Sequence, residues 1–432
     1  MKPINIGICG LGTVGSGTVA LLQKNREEIQ KRSGHPIAIT HIGARRDNPD
    51  CDVSGIRVSR DIFEVVRDPN VDILVELLGG IDTAKDVVLE AISLGKHVVT
   101  ANKALIAMHG QELFDAAEAK GVRVVYEGSV AGGIPIIKVL REGLAANRIL
   151  WLAGIINGTG NYILTEMRQG GRTFADVLAE AQALGYAEAD PAFDVEGTDA
   201  AHKLTILASI AFGIPLQFDK IYTEGISHIT QADVSFAEEL GYRIKHLAIA
   251  RRSEEGIELR VHPTLVPKKR LLANVNGVLN AVLVEGDAVG PTLYYGPGAG
   301  SLATASAVVA DIMDLVRADN RHSGVPHLGY ADSGYGLDIM PIEAVSTSNY
   351  LRITALDKVG VMAQVALVMS RHKINIEAII QKEPADGEEC VPLILLTHQI
   401  REAEINNAIA ELEAMPEVVG SITRIRMEQL DG

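Results

Sequence analysis

Cysteine is scarce: Cys9, Cys51 and Cys390 are the only three in 432 residues. They lie far apart with no paired spacing, so neither a disulfide framework nor a cysteine-rich zinc site is expected. Positive charge is also in deficit. Lys and Arg number 40 against 55 Asp and Glu, a formal net charge of −15. That balance excludes broad nucleic-acid binding, because displacing phosphate counterions needs clustered cations. Small anionic ligands remain open to it, since local donors hold them. No apolar run approaches the roughly 20 residues that span a bilayer, so no membrane partner is expected. The opening MKPINIGICGLG enters a strand pattern at once, without a leader's cationic stretch, apolar run and cleavage site. The expectation is a cytoplasmic protein. Aromatic residues make up only 4% of the chain while glycine reaches 42, a balance that suits an α/β enzyme with many tight strand-to-helix turns. With 47% hydrophobic and 22% charged residues, a full core can be buried. Disordered and fibrous classes are excluded, and the length suggests about three domains.

What is present begins with a phosphate-binding signature. Residues 4–9, INIGIC, form the short apolar run of a buried parallel strand. Gly10-Leu11-Gly12-Thr13-Val14-Gly15 follows, then SGTVALLQKNREEIQKR, with apolar residues at helical spacing and a charged face. Gly-x-Gly-x-x-Gly is weak alone, but between a strand and a helix it points to a dinucleotide. Gly10 allows the tight turn, Gly12 lets amides approach a pyrophosphate, and Gly15 lets the helix pack on its strand. Thr13 and Val14 lie at the helix's positive end, which faces the phosphates. The alternative is a glycine-rich turn with no ligand. The second strand, IAITHIGARR (37–46), ends in Ala44-Arg45-Arg46 where a NAD site usually carries an acidic residue for the ribose 2′-hydroxyl. Guanidinium groups suit a 2′-phosphate, so NADP is favoured over NAD. The alternative for either arginine is a solvated loop charge.

Strands and helices keep alternating through VDILVELLGG (71–80), DVVLEAISLG (86–95), KHVVTAN (96–102), a helix from Lys103, and VRVVYEGS (122–129). This is the βαβ pattern of a doubly wound sheet, whose ligands sit beyond the carboxyl ends of the strands. Thr100, Asn102 and Lys103 fall at one such end; Glu127, Gly128 and Ser129 fall at another. A cation at the positive end of a helix is disfavoured unless an anion compensates, so Lys103 reads as facing the cleft rather than as an ordinary surface lysine.

From about residue 135 the pattern changes. Asn157-Gly158-Thr159-Gly160-Asn161 is either a turn with donors for a small polar ligand or a plain strand-helix turn. The stretch 185–203, GYAEADPAFDVEGTDAAHK, carries Glu188, Asp190, Asp194, Glu196 and Asp199 ahead of an apolar helix. Thr198 is the expected N-cap, with Asp199 in the first turn, where the helix dipole favours an anion. Asp199 and Lys203 are four apart and share a helix face. In a partly desolvated site, burial lowers the lysine's proton affinity and Asp199 raises it, so Lys203 can serve as a general acid/base. The alternative is a surface ion pair of small worth.

Toward the C-terminus, GIELRVHPTLV, NAVLVEG and PTLYYGPGAG read as strands, and ATASAVVADIMDLVRAD (303–319) as a helix returning to the dinucleotide domain. After a Gly-, Pro- and Ser-containing linker comes strand, helix, strand, strand, helix, strand, a ferredoxin-like βαββαβ order. Asp357-Lys-Val-Gly360, with Asn375 near the second strand, resembles the ACT domain, a small amino-acid-binding regulator. The alternative is the same fold used only for oligomerisation, since fold does not establish function. The expected fold class is therefore an α/β Rossmann-type dinucleotide-binding domain at 1–135, completed by 300–320. An α+β substrate-binding and dimerisation domain follows at 136–299, then a linker at 321–348 and an ACT domain at 349–427.

Taken together, GLGTVG, TANK (100–103), EGSVAGGIP (127–135), NGTGNYI (157–163), GYAEADPAFDVEGTDAAHK (185–203) and GPGAG (296–300) resemble homoserine dehydrogenase in its monofunctional form, without a fused aspartate kinase. The resemblance implies reversible oxidation of L-homoserine to L-aspartate 4-semialdehyde, a step of threonine, methionine and isoleucine biosynthesis. It implies Lys203 as the acid/base residue, and Lys103 as a contact to substrate and cofactor that assists proton transfer. Glu188 and Asp199 would engage the amino and hydroxyl ends of the substrate, with Tyr186, Thr159 and Asp194 nearby. Glu127, Val130, Gly132 and Ile134 would hold a monovalent cation such as sodium, largely through backbone carbonyls. Gly300 would approach the cofactor, as would Thr100 and Ser129. Feedback control by L-threonine at Asp357, Gly360 and Asn375, and a homodimer or homotetramer, are implied in the same way.

This agrees with elementary chemistry. Taking a hydride from a primary alcohol needs a base for the hydroxyl proton and a cation for the developing alkoxide, and two lysines supply both. The substrate ammonium needs a carboxylate, which Glu188 can provide. Two competitors differ in test. An amino-acid dehydrogenase acting at an amine carbon would not need the lysine pair, and a non-catalytic sensor would bind dinucleotide and amino acid without turnover.

Overall fold

The computed structural model describes residues 2–318, 325–331, 336–382 and 389–431. The linker expected at 321–348 falls partly outside them. Two compact units divide the chain: Met1–Leu152 with Ala200–Asp219 and Leu279–Leu337, and Ala153–Asp199 with Lys220–Val278 and Asp338–Gly432.

The first unit is built on six strands: β1 (Ile4–Cys9), β2 (Ile37–Gly43), β3 (Arg57–Ser59), β4 (Ile73–Glu76), β5 (His97–Thr100) and β6 (Val124–Val125). They pair in parallel in the order β3-β2-β1-β4-β5-β6. That is the doubly wound dinucleotide-binding order, and its switch point lies between β1 and β4. Strands covered on both faces must be apolar throughout, and Ile6, Ile8, Ile73, Val75 and Val99 are buried in one core. Helix α1 (Thr13–Lys24) begins inside the glycine signature. The helix Ser301–Arg317 packs beside it, adding Val308, Val309, Ile312 and Leu315 to the same core. Gly17 permits that approach, because a Cβ there would lie 2.4 Å from Ser301 Oγ.

The second unit centres on an antiparallel hairpin, Tyr242–Arg252 with Ile257–Pro267. The last strand, Thr423–Met427, runs parallel to it through Thr264–Arg426 and Leu265–Met427 and antiparallel to Ser346–Leu356. Beyond lie Cys390–Thr397 and Ile376–Gln381. The βαββαβ module thus forms the expected ferredoxin-like sheet, beginning at Ser346 and extended by the hairpin. Its helices Val361–Arg371 and Glu402–Glu413 bury Val365, Met369, Ile405 and Leu412 against Leu351 and Leu393. On the other side, Tyr350, Ile394 and Ile425 meet Ile163, Leu164 and Val234 from the helices Gly158–Gly170 and Gln231–Glu239.

The seam between hairpin and module is ionic. Arg426 donates from Nη2 to Glu402 at 2.8 Å, and Arg260 donates to Glu428 at 2.7 Å and to Glu258 at 3.0 Å. Arg426, Glu402 and Arg260 are all buried. Such a cluster is tolerated only when each charge is matched.

Candidate active site

The glycine loop is shaped by contacts that a side chain would destroy. A Cβ on Gly10, whose φ is +108°, would meet Leu77 O at 2.4 Å, and one on Gly15 would meet Gly10 O at 2.1 Å. Gly12 differs: a Cβ there would meet nothing within 4 Å. The space beside Gly12 is therefore open to a ligand. Gly12 is also the N-cap of α1 and offers no side-chain hydrogen bond, which leaves the first amides of the helix for an anion. Gly300 stands in the same place before Ser301–Arg317, at φ +119° and likewise without a capping side chain. Ser301 Oγ donates to Thr13 O at 2.8 Å, so two uncapped helix starts are held side by side. This cradle fits a pyrophosphate.

At the tip of β2, Arg45 and Arg46 are exposed. Arg60, which no sequence pattern marks, reaches the same tip, donating to Ala44 O at 3.1 Å and to Asp47 at 2.7 Å.

Lys103 is the first residue of α2 (Lys103–Lys120), and its placement rests on a buried carboxylate. Glu76 ends β4 and accepts from Thr100 Oγ1 at 2.5 Å and Leu78 N at 2.6 Å. Thr100 Oγ1 accepts in turn from Asn102 N at 3.0 Å. Asn102 caps α2, taking Leu105 N at 3.1 Å and giving its amide to Gly80 O at 2.7 Å. Burial pushes the Glu76 carboxyl up to about 7, against the pull of Thr100 and Leu78. The Thr100 hydroxyl is thus committed to the scaffold. Ser129 Oγ is committed likewise, to Tyr126 O at 2.6 Å.

In the second unit, two of the expected substrate residues converge on Asn157. Its Nδ2 donates to Asp194 and Asp199 at 2.8 Å each, while its Oδ1 caps the helix Gly158–Gly170 through Gly160 N at 2.7 Å. Asp199 is buried and Asp194 half-buried. Lys203, also half-buried, lies one turn beyond Asp199 on the helix Thr198–Phe212. Thr159 Oγ1 donates to Tyr186 O at 2.7 Å, which ties the turn to the acidic stretch. Glu188 is exposed, and Gln182 donates to its carbonyl at 3.0 Å. Asn157 had only been part of a glycine turn in the sequence; an Asn that caps a helix opposite an acidic run is the signal that could have found it.

The segment from Glu127 to Ile134 is a compact turn. Ala131 sits at φ +50°, and a Cβ on Gly133 would meet Pro297 O at 2.7 Å. The Glu127 carboxylate accepts from Ile137 N and Lys138 N at 3.0 and 2.8 Å. Burial and the neighbouring Asp311 push it up to about 8. Within the turn, Val130 N donates to Glu127 O at 3.5 Å, Ile134 N to Ala131 O at 2.7 Å and Ile136 N to Ile134 O at 2.7 Å. Among the described residues, no group of three or more His, Cys, Asp or Glu is placed to hold a metal.

In the C-terminal module, Gly360 caps Val361–Arg371 in the left-handed region at φ +94°. Asp357 and Asn375 are exposed. Among the described residues, no helix is long and apolar enough to cross a membrane.

Compared with known proteins, the chain is 62% identical over 434 residues to a homoserine dehydrogenase from Pseudomonas aeruginosa, covering 100% of both. The chain belongs to the homoserine dehydrogenase family. The family profile named homoserine dehydrogenase matches residues 135–313, and the homoserine dehydrogenase NAD-binding domain matches 10–127. An AHAS small subunit-like ACT domain matches 351–420. The crystal structure of a homoserine dehydrogenase from Thiobacillus denitrificans is 57% identical with a TM-score of 0.94, covering 100% of this chain and 99% of that one. A hyperthermophilic archaeal homoserine dehydrogenase in complex with NADPH is 27% identical with a TM-score of 0.62, covering 73% of this chain and 98% of its own. The chain is thus a homoserine dehydrogenase-type oxidoreductase with a nicotinamide-dinucleotide domain and an ACT-like domain.

Proposed function

We propose that the chain interconverts L-homoserine and L-aspartate 4-semialdehyde with NADP(H), using Lys203 as its proton carrier. The observation that carries this is the Asn157–Asp194–Asp199 cluster, with Lys203 one turn from Asp199 on one helix. Asp199 orients the substrate hydroxyl, and Lys203 takes its proton as the alkoxide develops. Lys103 supplies a second positive charge at the start of α2. Glu188 meets the substrate ammonium, with Tyr186, Thr159 and Asp194 around it. When bound, the nicotinamide accepts the hydride from the carbinol carbon. Gly10, Gly12, Thr13, Val14, Gly15 and Gly300 hold the pyrophosphate, while Thr100 and Ser129 shape the floor. Arg45 and Arg46, with Arg60 beside them, favour a 2′-phosphate, and the archaeal relative's NADPH supports that choice.

The carbonyls of Glu127, Val130, Gly132 and Ile134 hold a monovalent cation. The ACT module binds L-threonine through Asp357, Gly360 and Asn375 and lowers activity. The protein works in the cytoplasm as a homodimer or homotetramer. The deciding experiment follows nicotinamide reduction with L-homoserine, comparing NADP with NAD, wild type with Lys203→Ala, and threonine present with threonine absent. Turnover by Lys203→Ala near the wild-type rate would end the proton-carrier assignment. Equal activity with and without threonine would end the feedback assignment.

A further inference from the structure

We propose that Glu224 and His246 are positioning residues that hold the substrate loops in register from the ACT module's last strand. His246 lies on the strand Tyr242–Arg252 and is buried. Its Nε2 is 3.0 Å from Glu224 O. A carbonyl only accepts, so Nε2 carries the hydrogen and Nδ1 is left as an acceptor. Nδ1 is buried and has no hydrogen-bond partner among the described residues. The ring stands directly on backbone: a Cβ on Gly160 would meet Nδ1 at 3.6 Å, and one on Gly197 would meet Cε1 at 3.2 Å. Gly160 donates to Asn157, and Gly197 is two residues before Asp199. One imidazole therefore backs both loops that meet at Asn157.

Glu224 has two ends. Its carbonyl holds the ring, and its N–H donates to Val261 O at 2.8 Å. Its carboxylate accepts from Arg426 Nη1 at 2.5 Å and from Tyr222 Oη at 2.8 Å. Arg426 is itself pinned to Glu402 through Nε at 2.9 Å and Nη2 at 2.8 Å. Movement of the strand Thr423–Met427 must either break a buried ion pair or displace Glu224. Because neither loop carries a side chain at Gly160 or Gly197, a displaced ring shifts the loop backbone itself.

The proposal rests on reading Asn157, Asp194 and Asp199 as the substrate site, so Asp194→Asn serves as an independent reporter of that reading. Full-length Glu224→Gln, His246→Leu and His246→Gln are compared in steady-state kinetics and thermal melting. Glu224→Gln and His246→Leu are expected to raise the homoserine KM about fivefold or more, with the cofactor KM within about twofold. His246→Gln, which keeps an N–H for the Glu224 carbonyl, is expected to recover most of that loss. If either loss-of-contact variant fails to fold, Tyr222→Phe replaces it, with a rise of about twofold expected. A homoserine KM unchanged in the folded variants, while Asp194→Asn raises it, overturns the positioning role and leaves the substrate site standing. An unchanged KM in Asp194→Asn as well overturns both.

Discussion

The hydroxyl of Thr100 donates to the buried carboxylate of Glu76 at 2.5 Å, and through it the start of the Lys103 helix is fixed. Thr100→Val removes the donor to Glu76 and the acceptor for Asn102 N together. Leaving buried groups unsatisfied costs roughly 1–3 kcal/mol each. We expect a clear loss in Tm and a drop in kcat larger than the change in homoserine KM, read by calorimetry and steady-state kinetics on the same preparation.

Glu76 also sets a pH dependence. Its folded pKa lies near 7, above the ordinary 4.5, because burial disfavours the charged form. The neutral carboxyl thus favours the fold. That contribution is complete below the unfolded value, declines as pH rises, and is gone above the folded value. A shift of this size is worth on the order of 3 kcal/mol. Tm should fall between about pH 5 and 7, and the fall should shrink in Glu76→Gln. An identical slope in that variant would assign the decline to another group.

The glycines of the first loop should separate stability from binding. Gly15→Ala drives a Cβ to 2.1 Å from Gly10 O, and overpacking costs roughly 1–3 kcal/mol. Gly12→Ala meets nothing within 4 Å, so its Tm should match wild type while NADPH binding weakens. Fluorescence titration beside thermal melting distinguishes the two.

Replacing Arg45 and Arg46 together by Ala should weaken NADPH on the order of tenfold or more, since charged hydrogen bonds are worth about 1.5–3 kcal/mol. NADH should be almost unaffected. Equal losses with both cofactors would mean that the arginines do not read the 2′-phosphate.

Glu402→Ala takes from buried Arg426 one of its two carboxylate partners, leaving only Glu224, and breaking a buried pair costs about 3–5 kcal/mol, here an upper bound. Urea unfolding should register that loss. A near-neutral result would mean that solvent reaches the seam.

How far the chain could be read depended on burial. Ile4–Cys9 and the glycine signature were legible because a doubly covered strand leaves a continuous apolar run and tight turns admit only glycine. The ACT module was legible from the order of its elements, strand, helix, strand, strand, helix, strand, which its short apolar runs spell out. The strand Tyr242–Arg252 was not, since its central residues Lys245 and His246 are polar yet buried, which erases the apolar period. Lys245 is held there by Asn161 Oδ1 at 3.1 Å, a partner 84 residues away that no local pattern announces. Glu76, Arg60 and Asn157 were hidden for the same reason: each acts through a residue distant in sequence.

The pairing of Thr264 and Leu265 with Arg426 and Met427 makes the chain's last strand an interior rung. Deleting everything after residue 345 would therefore leave Thr264 and Leu265 without their cross-strand partners on Ile257–Pro267, a strand buried along its whole length. A bare apolar edge of that kind recruits other chains. The ACT-like module is a structural keystone: a shortened protein must evolve a new cover for that edge or precipitate.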